Sequence, residues 1–106
     1  MAKRRRRIEI SLNAKTDLKE IVNFISRGSR KYAALERELI FEAIGKLIEF
    51  PDLGKQVEFK SIDTRQYIFR NYLIFYRLKN DTMIEIISIH HHARLIRNNP
   101  ALGDED

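Results

Sequence analysis

The stretch Ile84–Arg97, IEIISIHHHARLIR, decides how this chain is read. Isoleucines alternate through its first half, three histidines follow, and a basic run closes it. Alternation of this kind is the period of a strand, in which successive side chains point to opposite faces. His90 and His92 therefore share one side and His91 takes the other. Three neighbouring histidines in an extended chain do not converge on one metal ion. A zinc site wants three or four ligands, and this sequence has no cysteine and no further histidine to complete one. The expectation is no metal site. The four glycines, Gly28, Gly45, Gly54 and Gly103, are scattered and form no phosphate-cradling loop, so no cofactor is expected either.

Working back from the histidines, two more strand-like runs precede them. Arg65–Arg70 reads RQYIFR and Tyr72–Leu78 reads YLIFYRL, each dominated by the isoleucine, tyrosine and phenylalanine that strands favour. Only Asn71 and then Lys79–Asp81 separate the runs, and links this short make neighbouring strands antiparallel. Upstream, Pro51–Asp63 (PDLGKQVEFKSID) has turn residues and charge without a period, and reads as a loop.

Near the start, RRIEISL places Ile8, Ile10 and Leu12 on one side of a strand. Asn13 then reads as a helix cap with Asp17 in or near the first turn. Ala14, Leu18, Ile21, Val22 and Ile25 recur at helical spacing. Ser29 caps a second helix whose apolar face is Tyr32, Leu35, Leu39, Ile40, Ala43, Leu47 and Ile48, with Glu42 and Lys46 paired on its exposed side. Pro51 disfavours helical geometry at Phe50 and ends it. The link between the helices is short, so they form an antiparallel hairpin. The predicted architecture is α+β, in the order β-α-α-β-β-β. An antiparallel sheet has the helical hairpin on one face, and its other face is only partly covered.

With 106 residues the chain is of single-domain size. The expected divisions are a basic, flexible arm at 1–7, one domain over 8–97, and an acidic, flexible tail at 98–106. The net charge of +5 comes from 20 basic and 15 acidic residues, and five of the bases lie in Lys3–Arg7; without them the count is 15 against 15. An arm of this kind can bind phosphates or acidic lipid, although a charged terminus is more often simply solvated. The lack of cysteine excludes a disulfide framework and fits a reducing cytosol. No apolar run approaches the ~18–20 residues that span a bilayer, and the charged start lacks the apolar core of a secretory signal.

No serine sits on a recognisable nucleophile elbow. The chemistry left open is acid–base cleavage of RNA, with a histidine as acid or base and Arg65, Arg70, Arg77, Lys60 and Arg94 as phosphate ligands. The plainer alternative makes the arginines strand-edge solvation and a histidine a packed, hydrogen-bonded residue.

Four stretches in this order, AKTDLKEIVNFIS, FPDLGKQV, YLIFYRL and IEIISIHHHARL, resemble the RelE/ParE superfamily of bacterial toxins from type II toxin–antitoxin modules. The resemblance runs from about Ile8 to Arg94. FPDLG is similar to the FPELG common on the ParE side, and YLIFYR to the ParE form HLIFYR. The ribonuclease branch resembles YRLVY at that place, with an arginine that handles the scissile phosphate; here the matching residue is Leu73, which cannot donate to a phosphate. In IHHHARL, His90 stands on the histidine of ParE-like endings and Arg94 on the basic residue after it. Leu95 replaces their usual aspartate.

The resemblance implies a ParE-like toxin that inhibits DNA gyrase without catalysis. The surface would be Arg70, Arg77 and Arg94 with His90, His91 and His92. The alternative is a RelE-like ribosome-dependent mRNA endoribonuclease using His91 or His92 with Arg65, Arg77 and Arg94. A third possibility is a non-toxic domain that only binds an antitoxin. Each implies a ParD-like antitoxin laid across the hairpin and sheet, with Phe24, Tyr67, Phe69, Phe75 and Tyr76 as candidate contacts, at least half of them expected in the core. Operator DNA would be reached through the antitoxin, no membrane is involved, and the isolated chain could form a homodimer.

Overall fold

The pairing of the aromatic and isoleucine-rich runs organises the molecule, and it brings in a strand the sequence hides. The computed structural model describes residues 6–59 and 62–91. The elements are β1 (Arg7–Ile10), α1 (Leu12–Ser26), α2 (Arg30–Glu49), β2 (Lys55–Phe59), β3 (Ile62–Phe69), β4 (Tyr72–Asn80) and β5 (Met83–His91). The fold class is α+β, as expected, but the sheet has five strands in the order β1-β5-β4-β3-β2. The segment read as a loop contains β2, antiparallel to β3. The sheet is also mixed: β1 lies parallel to β5, with Ile8 opposite Ile84 and Ile10 opposite Ile86. A strand followed by a helical hairpin cannot turn back on itself, so its partner comes from the far end of the chain.

Ser11, not Asn13, caps α1: its hydroxyl accepts from the Ala14 N–H at 3.0 Å and donates to the Ile87 carbonyl at 3.0 Å. Asn13 lies inside the helix and donates to the same carbonyl at 3.3 Å. Ser29 caps α2 as expected, accepting from Tyr32 N–H at 3.0 Å. Ser29→Ala should therefore lower stability by about 1 kcal/mol in denaturant titration.

The core lies between the hairpin and one sheet face, where Leu18, Ile21, Ile40, Ile44 and Leu47 meet Tyr72, Ile74, Tyr76, Ile84 and Ile86. The first turns of α2 are rotated from the expected face. Ala33 and Glu36 are buried there, whereas Tyr32 and Leu35 are 50% and 51% exposed. Glu36 takes the inward position because Tyr72 and Arg70 meet its carboxylate.

The opposite sheet face is less bare than expected. Leu73 and Phe75 are buried on it, and the Phe75 ring meets His90 edge-on at 5.4 Å. Exposure grows toward β2, with Ile68 62% exposed. Of the residues assigned to the arm, Arg7 is in β1 and Arg6 donates to the Ile48 carbonyl at 3.2 Å, and 1–5 lie outside the described residues. The acidic tail at 98–106 lies outside the described residues.

Candidate recognition surfaces

Beyond Ile86 the outer edge of β5 has no strand beside it among the described residues, and the start of α1 takes that place. Asp17 Oδ2 accepts from the Ile89 N–H at 3.0 Å and from the Ser88 hydroxyl at 2.8 Å. Ser88 Oγ is also 2.7 Å from His90 Nε2. The single hydroxyl proton serves Asp17, so the imidazole nitrogen is the donor in that contact. His90 is thus a hydrogen-bonded strand residue on the Phe75 side.

His91 points to the helical side and meets Tyr72 edge-on at 5.2 Å. The Tyr72 hydroxyl donates to Glu36 Oε1 at 2.7 Å, and Arg70 Nη2 lies 3.3 Å from Glu36 Oε2. Arg70 sits at the β3–β4 turn with φ 55°, a left-handed conformation that a side chain adopts at some cost. His92 and Arg94, the remaining residues of the expected strand-end surface, lie outside the described residues.

Arg65 and Arg77 lie toward the other end of the sheet. Arg77 Nε donates to Glu85 Oε1 at 2.7 Å. Arg65 Nη1 donates to the Gly54 carbonyl at 2.7 Å, with Asp52 3.6 Å away. They flank an open cavity of about 390 Å³ that Asp52, Gln56, Asp63 and Leu78 also line. His91 is opposite Tyr72 in the β4–β5 ladder. Arg77, five residues further along β4, is therefore roughly 17 Å from it at the ~3.3 Å rise of a strand. The fold does not bring His91 together with Arg65 and Arg77.

Among the candidate aromatics, Phe24 is 41% exposed. Tyr67 and Phe69 are half-buried against the core, and Phe75 and Tyr76 are buried, which leaves them no free ring to offer a partner. The Tyr76 hydroxyl accepts from Gly54 N–H at 2.8 Å and donates to the Pro51 carbonyl at 2.6 Å. It thereby ties the FPDLG turn to the FYR strand.

Burial raises the pKa of Tyr76, and burial together with the bond to Glu36 raises that of Tyr72. Both phenols keep their protons in the folded chain when the unfolded chain, with ordinary values near 10, loses them. Stability is then complete below pH ~10 and falls above it. Urea titrations across that range should show the loss, with a shallower fall for Tyr72→Phe.

The hairpin carries a surface that sequence reasoning missed. Between α1, α2 and β1 lies a groove of about 410 Å³, with Leu18, Val22 and Phe41 in its lining and Lys15, Lys19 and Arg37 around it. The Arg37 guanidinium lies over the Phe41 ring at 4.8 Å. No lining residue among those described carries a carboxylate. The available signal was the repeat of Lys15 and Lys19, and of Arg37 and Phe41, one helical turn apart on facing helices. No group of three or more metal-capable side chains is found among the described residues, and no helix among them is long and apolar enough to cross a membrane.

Comparison with solved structures finds the same fold in other chains. A chain of the chromosomal ParDE toxin–antitoxin system from P. aeruginosa matches with a TM-score of 0.68 at 17% identity, over 81% of this chain and 95% of that one. A chain of the RelBE2 toxin–antitoxin complex from Mycobacterium tuberculosis matches with a TM-score of 0.60 at 19% identity, over 82% and 98%. No curated protein sequence matches this one. A family model describing the ParE toxin of the type II toxin–antitoxin system parDE matches residues 8–96, and that span of β1, hairpin and sheet places the chain in the ParE toxin family.

Proposed function

We propose that this chain is a cytoplasmic toxin that inhibits DNA gyrase by binding it, and that a ParD-like antitoxin neutralises it. The observation that carries a binding mechanism over RNA cleavage is the separation of His91 from Arg65 and Arg77. A base or acid roughly 17 Å from the cations meant to steady a phosphate cannot act with them on one scissile bond. Both arginines are moreover engaged locally, by Glu85 and by the Gly54 carbonyl. The target surface on this reading includes Arg70, Arg77, His90 and His91, with His92 and Arg94.

Induced expression in a bacterial host tests the reading. DNA-damage response and filamentation are expected, with purified gyrase trapped on cut DNA. Rapid translational arrest with cleaved transcripts would instead establish the ribonuclease, and unaffected growth a non-toxic antitoxin-binding domain.

The groove supports the antitoxin as partner. An apolar floor with basic walls suits an acidic amphipathic segment, whose apolar side is buried while its carboxylates meet Lys15, Lys19 and Arg37. Operator DNA would then be contacted by the antitoxin, and without it two copies of this chain would be free to pair. Lys15→Glu with Lys19→Glu should weaken the complex about 100-fold or more in calorimetric titration, because close charge pairs couple by at least ~1.5 kcal/mol each. Unchanged affinity would exclude the groove as the docking site.

A further inference from the structure

The turn joining α1 to α2 carries cations that, Arg37 apart, neither the antitoxin groove nor the gyrase reading uses. Between Glu20 and Glu38 the sequence has four cations, Arg27, Arg30, Lys31 and Arg37, and one carboxylate, Glu36. That carboxylate is buried and meets Arg70 and Tyr72, so it offers no exposed negative charge at the turn. Arg27, Arg30 and Lys31 are all exposed, and none is in an ion pair among the described residues. Beside them stand exposed apolar rings, Phe24 at 41% and Tyr32 at 50%. The Arg27 guanidinium lies 5.8 Å from the Phe24 ring centroid.

The backbone that presents these groups is well tied down. Gly28 N–H and Ser29 N–H both donate to the Ile25 carbonyl, at 3.0 and 3.1 Å, and Ser29 caps Tyr32. Arg70 reaches the same end of the molecule, because Glu36 lies one helical turn beyond Tyr32.

We infer that the α1–α2 turn is a docking site for single-stranded nucleic acid, in which Arg27, Arg30 and Lys31 take backbone phosphates and Phe24 and Tyr32 stack on bases. Clustered cations alone would suit any polyanion. Exposed rings interleaved with them favour a single strand, because each base offers a flat face for stacking. Arginine also matches the forked oxygens of a phosphate. The inference stands on this surface alone and does not depend on gyrase being the target.

The test is fluorescence anisotropy of the full chain with a labelled single-stranded DNA of about 12 nucleotides. Three phosphate contacts predict that raising salt from about 50 to 200 mM weakens binding roughly 20-fold. Replacing Arg27, Arg30 and Lys31 together by alanine should abolish most of the affinity and flatten the salt dependence. Tyr32→Leu, which keeps an apolar side chain, should weaken binding about tenfold through lost stacking. Circular dichroism should show both variants folded, since the altered side chains are exposed. A control in which Lys3, Arg4 and Arg5 become alanine should keep most of the binding.

Three results would overturn the inference: loss of binding in that control with none in the turn variant, equal affinity for the matching duplex, or displacement of the DNA by polyglutamate at equal charge. The last would mark the site as one for an acidic protein.

Discussion

Gly54→Ala is expected to lose about 3 kcal/mol of stability, because a methyl group there overpacks a buried site and disturbs two hydrogen bonds. An added Cβ would stand 2.7 Å from Tyr76 Cε1, 2.8 Å from its hydroxyl and 3.0 Å from the Gln66 carbonyl oxygen. None of these can yield easily. The Tyr76 ring is wholly buried, and Gln66 is backbone in the β2–β3–β4 ladder. The glycine is required for space and not for conformation, since no glycine among the described residues has a positive φ. Tyr76→Phe removes the hydroxyl and leaves the Gly54 N–H and the Pro51 carbonyl without that partner, a loss of about 2 kcal/mol. The double variant should cost less than the sum, because removing the hydroxyl also removes one of the clashing atoms. In chemical denaturation, strict additivity would show that the two residues do not act on one another.

The same contact shows why part of the fold was legible and part was not. FPDLG and YLIFYR stand out as two motifs, but only the folded chain shows that a tyrosine in the second fills the space a glycine leaves in the first. Alternation in Ile8–Ile10 and Ile84–Ile86, the short turn at Asn71, the Ser29 cap and the Pro51 stop are local signals, and each marks a feature present in the structure. β2 left no such signal. Lys55, Gln56 and Glu58 put polar groups on both sides of an edge strand, so no hydrophobic period develops, and its existence depends on pairing with β3.

At the candidate site the limit is different. Residue types named Arg65, Arg77 and the histidines as possible partners. Which of them meet is set by register, and register puts His91 beside Tyr72 and Arg77 beside Glu85. The groove was hidden because the lysines that rim it look like ordinary solvated positions of an amphipathic helix.

Glu36→Ala is expected to cost about 3 kcal/mol, through loss of buried side-chain packing and of the acceptor that the described residues give the Tyr72 hydroxyl. The helical period around it is apolar, and a carboxylate 4% exposed is retained there only with its charge compensated. Tyr72 supplies a hydroxyl at 2.7 Å and Arg70 a guanidinium at 3.3 Å. Removing one member strands the others, whereas removing the polar group on both sides need not. Glu36→Leu with Tyr72→Phe should therefore be more stable than Glu36→Ala, and within about 1 kcal/mol of the parent, since exchanging a buried polar pair for well-packed apolar groups is often near neutral. Arg70 in that double variant turns to solvent, which its half-exposed side chain already reaches. Its left-handed backbone then has no compensating ion pair, so adding Arg70→Gly should raise stability by roughly 0.5–1 kcal/mol. In the parent the same Arg70→Gly change removes the ion pair and gains far less. If stability falls equally for Glu36→Ala and for the leucine–phenylalanine pair, the three residues are not one unit. If it follows the expected order, the buried carboxylate serves to fix the β3–β4 turn and the Arg70 side chain at the end of the sheet that carries His90 and His91.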